Sequence, residues 1–368
     1  MRILLAGGGT AGHINPALSI ADQVRLHDPD AEVLFVGKRG NMEEKLVTKR
    51  GYAIDFIEIE GFKRSPLKNI RVVFKTLKAI AQSKKIIKKF RPDVVVTTGG
   101  YVSGPVMVAA HQSGVPSLIH ESNVYPGVAV KMAARTATRI AVSFDKTREL
   151  IAQKEKCIKT GNPVRAEILE TTREQARKAL RIKDKPLVLV FGGSLGAQKL
   201  NEAVLGYIEN IQNAETVQLI FGTGERNYAE VMGALSEKQI NVPECEHIKV
   251  LPYIYNMNEA MAAADVVISR AGAITLAELM ALGKPSVLIP SPNVAYNHQE
   301  TNARQLEKNG AALVLTEAEL TAKTLQEKID LLLSDANRLY TIGENAKKMG
   351  VRDATERIYE IIEEIRLK

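Results

Sequence analysis

Two glycine-rich segments, one near the start of each half of the chain, have the spacing of loops that bind phosphate or sugar groups. Residues 7–13 (GGGTAGH) follow an apolar run and precede a helical pattern, and residues 192–197 (GGSLGA) follow another apolar run. A strand, a tight turn and a helix start bring backbone N–H groups and the positive end of the helix dipole close to a ligand. The two loops predict that a ligand binds between two similar domains.

Gly7, Gly9 and Gly12 of the first loop also have the GxGxxG spacing of dinucleotide-binding proteins. A dinucleotide site needs an acidic residue after the second strand, but this chain has Lys38 and Arg39 there. Because two cations suit the 2′-phosphate of NADP, an NADP-dependent oxidoreductase stays open as a competing class. Glycines in such loops also serve simply as turn residues, so the first loop alone does not decide the function.

A third segment, residues 269–278 (SRAGAITLAE), has the pattern of a strand, a turn and a helix start. The backbone amides of Ala273, Ile274 and Thr275 would lie in the first helical turn, which is a binding site for phosphate oxygens. Glu278 follows on the same helix, and its carboxylate could accept hydrogen bonds from two ribose hydroxyls. A carboxylate near a helix start is alternatively stabilised by the helix dipole alone.

Two histidines, His13 and His120, each follow a predicted strand and are candidates for acid–base chemistry. Asp28-Pro29-Asp30 is the sole DxD triplet, a pattern that some sugar-nucleotide enzymes use to hold a metal. It precedes a strand and would therefore lie at the wrong end of the sheet, so we expect a turn there. We expect the site to use neither a metal nor a cofactor.

The scaffold that positions these residues is predicted from the alternation of strand-like and helical stretches. The predicted strands are residues 3–6, 33–37, 53–59, 94–97, 117–120 and 139–142 in the first half, and residues 187–191, 218–221, 248–251, 266–269, 286–289 and 312–315 in the second. This alternation predicts βαβ units and therefore an α/β fold with parallel sheets. The candidate loops follow strands, so they lie at the carboxyl ends, where ligands of open α/β sheets bind.

Length and composition favour a two-domain protein, since 368 residues exceed the usual size of one domain. Residues 161–165 (GNPVR) lie near the middle and are a plausible hinge. Cys157 and Cys245 are the only cysteines, and we expect them to be buried thiols in a reducing compartment. The sequence has neither a signal-peptide pattern nor the apolar run of about 20 residues that a membrane span needs, so we expect a cytoplasmic protein.

The net charge of +8 comes from one segment, because residues 61–91 contain eleven basic residues and no acidic ones. Its apolar positions, Ile70, Val73, Phe74, Leu77 and Ile80, recur at helical spacing and predict a basic amphipathic helix. Nucleic acid is excluded as a partner, because no aromatic residues or recognition motif accompany the charges. The helix either packs on its own core or binds an anionic membrane surface, and the second interpretation explains both of its faces better.

Several specific motifs, in the same order along the chain, resemble the MurG family of glycosyltransferases. They are residues 8–13 with Pro16, residues 99–105 (GGYVSGP), residues 120–123 (HESN), residues 161–165, residues 192–194, residues 269–275 with Glu278, Gln299 with residues 302–303, and residues 353–357 (DATER). The resemblance therefore extends from the first strand to the last helix.

The resemblance implies a GT-B fold, in which two Rossmann-like domains face each other across a cleft. It implies an acceptor domain of residues 1–163 with a C-terminal helix of about residues 348–368, and a donor domain of residues 164–347 that binds UDP-N-acetylglucosamine. The motifs assign the uracil to the backbone of Ile254, the ribose to Glu278, the diphosphate to Arg165, Ser194 and the amides around Ile274 and Thr275, and the sugar to Gln299 and Asn123. The loop of Thr10, Ala11 and Gly12 would face the sugar from the first domain.

The MurG family transfers N-acetylglucosamine to lipid I and so forms lipid II for peptidoglycan. We therefore expect an inverting displacement in which the 4-hydroxyl of the muramyl sugar attacks the anomeric carbon and UDP leaves. His13 is the expected general base, because a helix N-terminus keeps its imidazole neutral, and Glu121 is the alternative. We also expect peripheral binding to the cytoplasmic face of the membrane through residues 63–91. A sugar-nucleotide epimerase on the same fold is a further alternative.

Overall fold

The computed structural model describes residues 1–61, 66–193, 196–213, 216–294 and 297–367, without the side chains of residues 66–71 and 243. The chain divides into two compact units. Met1–Pro163 and Asp353–Lys368 form the first unit, and Val164–Arg352 form the second.

The first unit is built on a parallel sheet. Its strands are β1 (Arg2–Gly7), β2 (Glu32–Gly37), β3 (Ala53–Phe56), β4 (Val94–Gly99), β5 (Ser117–Glu121), β6 (Arg139–Val142) and β7 (Cys157–Lys159). Its helices within Met1–Pro163 are α1 (Ala11–His27), α2 (Met42–Lys49), α3 (Pro66–Phe90), α4 (Ser103–Gln112), α5 (Val128–Ala133) and α6 (Asp145–Leu150).

In the strand order β3-β2-β1-β4-β5-β6-β7, successive strands are added on one side of β1 up to β3 and on the other side from β4 onwards. The chain first winds outwards to β3 and then returns to β4 on the other side of β1, so the loops after β1 and β4 meet at a topological switch point. Ile3, Leu4 and Leu5 are completely buried, as expected for a parallel strand whose two faces are both covered.

The second unit repeats this architecture with the strand order β10-β9-β8-β11-β12-β13. Its strands are β8 (Leu187–Phe191), β9 (Gln218–Gly222), β10 (Ile248–Leu251), β11 (Val266–Ser269), β12 (Ser286–Leu288) and β13 (Leu313–Val314). Its helices are α7 (Ala166–Glu170), α8 (Arg173–Ala179), α9 (Gln198–Ile211), α10 (Tyr228–Glu237), α11 (Met257–Ala263), α12 (Ala273–Leu282), α13 (His298–Lys308), α14 (Ala322–Leu333) and α15 (Ala336–Met349).

The last helix, α16 (Ala354–Arg366), belongs to the first unit. Its buried side chains share one helical face and join the core cluster that contains Ile3 and Leu5; they are Ile358, Ile361, Ile362 and Ile365. The spacing of these isoleucines at i, i+3, i+4 and i+7 is that of an amphipathic helix packed on a sheet.

The predicted α/β fold with two parallel sheets is confirmed, although some bounds differ. The third strand ends at Phe56 rather than at residue 59, because its neighbour β2 ends at Gly37, which pairs with Phe56. The three-residue strand β7 was not predicted, since its apolar pattern is too short to be distinguished from a loop. Cys157 is buried as expected, but Cys245 is only partly buried because it lies in a loop at the rim of the core.

Candidate active site

The first glycine loop is fixed by the loop that follows β4. Gly8 N–H donates to the Gly99 carbonyl at 3.3 Å. Gly100 has a φ of +82°, and a Cβ there would lie 2.1 Å from the Gly8 carbonyl oxygen, so only glycine permits this approach. The two motifs, which are far apart in sequence, therefore form one surface at the switch point of the first sheet.

His13 lies in the first turn of α1 and is half-buried in this surface. Its Nδ1 is 3.2 Å from the Gly8 carbonyl oxygen, and Thr10 Oγ1 is 3.4 Å from the same nitrogen. Burial lowers the pKa of His13, although the bond to Gly8 opposes this shift. In the neutral ring, Nδ1–H donates to Gly8, which leaves Nε2 as the atom that can accept a proton.

Glu43, a residue without a role in the sequence interpretation, supports the same loop from α2. It is 1% exposed, and its carboxylate accepts hydrogen bonds from Gly9 N–H, Lys38 N–H and the Tyr101 hydroxyl, each at 3.2 Å. Burial raises the pKa of Tyr101 to about 12, and the nearby Glu43 carboxylate adds to this effect. The Tyr101 phenol therefore remains a hydrogen-bond donor at neutral pH.

The Glu121 carboxylate, the alternative base, is occupied by the backbone of its own loop. Its Oε1 accepts from Asn123 N–H at 2.9 Å and from Asn123 Nδ2 at 3.1 Å, and its Oε2 accepts from Gly127 N–H at 2.9 Å. Burial raises the pKa of Glu121, and these hydrogen bonds oppose the increase. The geometry supports a role in holding Asn123 better than it supports proton abstraction.

His120, the other candidate for acid–base chemistry, is completely buried. Its Nε2 is 3.2 Å from the Gly161 carbonyl oxygen, and burial lowers its pKa to about 4. His120 is thus a neutral residue that contacts Gly161, the first residue of the predicted hinge at residues 161–165. The adjacent Asn162 is fixed in the same way, since its Nδ2 donates to Ser122 and its Oδ1 accepts from Ser143.

The second unit has a cavity of about 540 Å³ at the carboxyl ends of its central strands. The second glycine loop contributes Gly192, Gly193 and Gly196 to its wall, and Thr275 of α12 and Gln299 of α13 also line it. Ser194, the predicted diphosphate ligand in this glycine loop, lies outside the described residues.

Two cations that the sequence interpretation left without a role, Lys199 and Arg270, also line this cavity. Arg270 Nη1 forms a salt bridge of 2.7 Å with Glu317 and also donates to the carbonyls of Ile289 and Pro290. These contacts fix the guanidinium beside the glycine loop. Glu317 lines the cavity as well, so the cavity combines backbone amides with Lys199 and the Arg270–Glu317 pair. Backbone amides beside a cation are the chemistry of a diphosphate site.

The third predicted loop forms one wall of the cavity. Gly272 is the N-cap of α12, so Ala273, Ile274 and Thr275 occupy its first turn, as the sequence predicted. The N–H groups of Ile274 and Thr275 have no acceptor within the helix because they lie in this turn. Glu278 follows on the same helix and is 5% exposed. Its carboxylate forms a salt bridge of 3.0 Å with Arg165, which also belongs to the second unit.

Ile254 and Gln299 are each fixed by one neighbour. The Ile254 side chain is buried, and a Cβ on Gly222 would lie 2.9 Å from Ile254 Cδ1, so the side chain is turned into the fold. Gln299 Oε1 accepts from Ser291 N–H at 2.8 Å, which leaves its amide nitrogen as the group suited to a sugar hydroxyl. The assignments of these residues to uracil and sugar remain predictions.

The segment Asp28-Pro29-Asp30 is a turn between α1 and β2, as predicted. Asp28 Oδ1 accepts the Asp30 N–H at 3.2 Å, a hydrogen bond typical of an Asx-turn. The triplet precedes β2 and thus lies at the edge of the sheet opposite to the glycine loops.

The predicted basic amphipathic helix is α3, and it presents two apolar faces. Val72, Ala79 and Ile87 are buried in the first unit, whereas Val73, Phe74 and Leu77 are 50%, 70% and 59% exposed. Ile70 and Arg71 are outside the described side chains. Within the part of the chain that the structure describes, no helix has both the length and the apolar character required to cross a bilayer.

The charge of α3 is partly compensated, which the sequence count did not indicate. Lys75 forms a salt bridge with Glu60, and Lys78 forms one of 2.9 Å with Glu58. Both acids lie just outside the eleven-cation segment. The stronger positive potential is therefore expected towards the C-terminal end of the helix, around Lys84 and Lys85.

Comparison with known proteins gives matches over nearly the whole chain. The model of the glycosyltransferase family 28 N-terminal domain matches residues 3–142, and that of the family 28 C-terminal domain matches residues 187–358. A protein of Acetivibrio thermocellus is 46% identical over 99% of this chain and 98% of its own length. Its name is UDP-N-acetylglucosamine–N-acetylmuramyl-(pentapeptide) pyrophosphoryl-undecaprenol N-acetylglucosamine transferase. A protein of Clostridioides difficile with the same name is 44% identical over 98% of this chain and 88% of its own length.

Solved structures give the same fold. MurG of Acinetobacter baumannii matches with a TM-score of 0.77 and 28% identity, over 99% of both chains. The UDP-GlcNAc 2-epimerase of Neisseria meningitidis, bound to UDP-GlcNAc, matches with a TM-score of 0.68 and 13% identity, over 99% of this chain and 100% of its own. The second likeness shows the fold alone.

Proposed function

This chain belongs to glycosyltransferase family 28, and from that membership we propose its substrates and the roles of its residues. It transfers N-acetylglucosamine from UDP-N-acetylglucosamine to lipid I, that is, to undecaprenyl-pyrophosphoryl-MurNAc-pentapeptide. The product is lipid II, the precursor of peptidoglycan in the bacterial cell wall. The names of relatives that match 99% and 98% of the chain support this activity.

The observation in the structure that carries the proposal is the cavity in the second unit. It brings the second glycine loop, the first turn of α12 and the cations Lys199 and Arg270 to one site, as a nucleotide diphosphate requires. UDP binds here, with Glu278 accepting the ribose hydroxyls and the Ile254 backbone facing the uracil. Arg165, Ser194 and the amides of Ala273, Ile274 and Thr275 serve the diphosphate.

The reaction is an inverting displacement at the anomeric carbon of the donor. The 4-hydroxyl of the muramyl sugar attacks, its proton passes to His13 Nε2, and UDP leaves with the bonding electron pair. Gln299, Asn123 and the loop of Thr10, Ala11 and Gly12 hold the transferred sugar. The low pKa of His13 keeps its imidazole neutral and able to accept the proton near pH 7.

The charge that develops on the leaving diphosphate is stabilised by the helix amides and by Arg165. Preorganised donors of this kind each contribute on the order of 10²–10³ in rate, so they can replace a divalent cation. We therefore expect turnover to persist in EDTA. Loss of turnover in EDTA, with recovery on addition of a divalent ion, would contradict this part of the proposal.

An NADP-dependent oxidoreductase does not fit the first glycine loop. The Gly9 N–H that a dinucleotide pyrophosphate would use already donates to Glu43, and the Tyr101 ring lies 2.9 Å from the position of a Cβ on Gly9. Arg39, a candidate for the 2′-phosphate, stacks on Phe56 with its guanidinium 4.3 Å from the ring centroid. These contacts agree with the family assignment to glycosyltransferases.

The acceptor lipid requires the enzyme to work at a membrane surface. Val73, Phe74 and Leu77 of α3 contact the acyl boundary, and nearby lysines interact with anionic head groups. Binding is peripheral, at the cytoplasmic face, and weakens as salt shortens the Debye length. No nucleic acid takes part.

Acceptor dependence distinguishes the proposed reaction from a sugar-nucleotide epimerase. UDP release from UDP-N-acetylglucosamine is measured with a lipid I analogue, without it, and with NADPH in its place. The proposal requires UDP release with the lipid I analogue only. Conversion of the donor to another sugar nucleotide without acceptor would instead identify an epimerase.

A further inference from the structure

Glu43 is a buried carboxylate whose hydrogen bonds join three separate loops. Gly9 lies in the loop after β1, Lys38 in the loop after β2 and Tyr101 in the loop after β4, and each donates one hydrogen bond to this carboxylate. Asn41 Nδ2 donates in turn to the Tyr101 hydroxyl at 2.5 Å. A carboxylate is costly to bury unless such donors compensate it, so this arrangement points to a specific role.

The hydrogen bond from Gly9 N–H to the Glu43 carboxylate determines which backbone N–H groups of the first glycine loop remain directed to a ligand. Gly9 has a φ of +86°, and its N–H is turned towards Glu43 Oε2. The N–H groups of Ala11 and Gly12 lie in the first turn of α1, where the helix itself offers no acceptor. His13 follows directly, so its position depends on the same backbone.

We infer that Glu43 is the positioning residue of the first glycine loop. Its carboxylate holds the Gly9 N–H away from the ligand and thereby fixes the backbone of Ala11, Gly12 and His13 for the acceptor reaction. This inference rests on the proposed function, because the loop is assigned there to the transferred sugar and the base. Glu43 is a positioning residue and not a substrate contact. It acts through the backbone of the loop and through Tyr101.

Glutamine has the same shape as glutamate but cannot replace this carboxylate. The two oxygens accept from different backbone donors, Gly9 N–H on Oε2 and Lys38 N–H on Oε1. A glutamine side chain has one oxygen, so its NH₂ group must face one of these N–H donors. Glu43→Gln therefore loses one backbone hydrogen bond with almost no change in volume.

Glu44 provides a matched control from the same turn of α2. Its Oε2 accepts the Gly40 N–H at 2.6 Å, so Glu44→Gln also removes a carboxylate that accepts from a backbone amide. Gly40 lies in the loop after β2 and, within the part of the chain that the structure describes, forms no hydrogen bond with the first glycine loop. Effects that are specific to Glu43 will therefore be absent from Glu44→Gln.

The test combines steady-state kinetics, UDP binding and amide hydrogen exchange of residues 8–13. For Glu43→Gln we expect kcat to fall by roughly 10²-fold, since small misplacements of a catalytic group have effects of this size. UDP affinity should stay within about twofold, because UDP binds to the second unit, and exchange of residues 8–13 should accelerate. Glu43→Asp, which retains the charge on a shorter side chain, should recover part of kcat. Glu44→Gln should resemble the wild type in every measurement.

Two results would overturn the inference. One is a Glu43→Gln enzyme with wild-type kcat and unchanged exchange of residues 8–13. If Glu43→Gln does not fold, the second is a Glu43→Asp enzyme with wild-type kcat and unchanged exchange of residues 8–13. Hydrogen exchange is measured without substrate, so it tests the positioning role independently of the proposed function. If the wild-type enzyme does not use lipid I, the proposed function is refuted. Faster exchange of residues 8–13 in Glu43→Gln would still support the positioning role in that case.

Discussion

Arg165 and Glu278 form a forked contact within the second unit: Nε and Nη2 of Arg165 both lie 3.0 Å from Glu278 Oε1. These two residues, 113 positions apart in sequence, are the ones assigned to the diphosphate and the ribose. Burial raises the pKa of Glu278, and Arg165 opposes this increase. The arginine thus helps to keep the carboxylate ionised, which is the form that accepts two ribose hydroxyls.

Substitution of either residue should weaken donor binding, and donor binding should depend on pH as long as Glu278 is present. Glu278→Ala should raise the KM for UDP-N-acetylglucosamine at least tenfold, because a buried site then lacks the acceptor for ribose. In the wild type, the donor KM should increase as pH falls through the raised pKa of Glu278, because protonation removes acceptor capacity. Arg165→Ala should move this increase to higher pH. Donor KM measured from pH 5 to pH 8 checks both expectations, and a flat profile in all three enzymes would contradict them.

His13→Ala should reduce kcat by about 10²–10⁴-fold, the usual contribution of a general base. Because burial lowers the pKa of His13, the wild-type kcat should stay high below pH 6.5 and fall only as pH drops through the lowered pKa. His111→Ala, at an exposed histidine, is the control and should have no effect. Near-normal kcat with weakened acceptor binding in His13→Ala would exclude His13 as the base.

Gly99→Ala should disturb His13 without altering any ionisable group. Gly99 has a φ of +110°, and a Cβ there would lie 2.8 Å from His13 Cδ2 and 3.1 Å from its Nε2. The ring must therefore move, and we expect kcat to fall roughly 10²-fold. Gly114→Ala is the matched control, because Gly114 also has a positive φ, of +69°, and a Cβ there meets nothing within 4 Å. Equal activity of the two variants would show that the position of His13 is not critical.

The candidate loops could be predicted from sequence because their signals are local. Each glycine loop with its preceding apolar run, and likewise the segment that ends at Glu278, is contained in a stretch of about a dozen residues. The contacts that fix these loops could not be predicted in this way. Glu43 in the sequence MEEKL resembles a solvated helix residue, and its partners Gly9 and Tyr101 are 34 and 58 positions away. The salt bridge of Arg270 with Glu317 and those of α3 with Glu58 and Glu60 likewise depend on tertiary packing.

Membrane binding should require both the exposed apolar side chains and the lysines of α3. Replacing Val73, Phe74 and Leu77 with serine should reduce sedimentation with anionic vesicles, because these side chains supply the apolar contact. Replacing Lys75, Lys78, Lys84 and Lys85 with glutamate should also release the protein, and affinity for UDP-N-acetylglucosamine should remain unchanged. Because Lys75 and Lys78 already pair with Glu60 and Glu58, Lys84 and Lys85 should account for most of this charge effect.

Lys347 and Lys348, exposed on α15 of the second unit, provide the charge control for these vesicle experiments. Their replacement with glutamate gives the same change in net charge as replacement of Lys84 and Lys85, and it should leave binding unaltered. Sedimentation of the four-lysine variant with anionic vesicles at physiological salt would mean that α3 is not the membrane-binding surface.

The most direct test of the account is identification of the product formed from UDP-N-acetylglucosamine and a lipid I analogue, by NMR of its anomeric proton and linkage. Inversion of the α-linked donor sugar predicts a β-linked N-acetylglucosamine on the 4-hydroxyl of the muramyl residue, with one UDP released for each linkage formed. An α-linked product, a linkage to another hydroxyl, or a sugar nucleotide altered without transfer would contradict the proposed reaction.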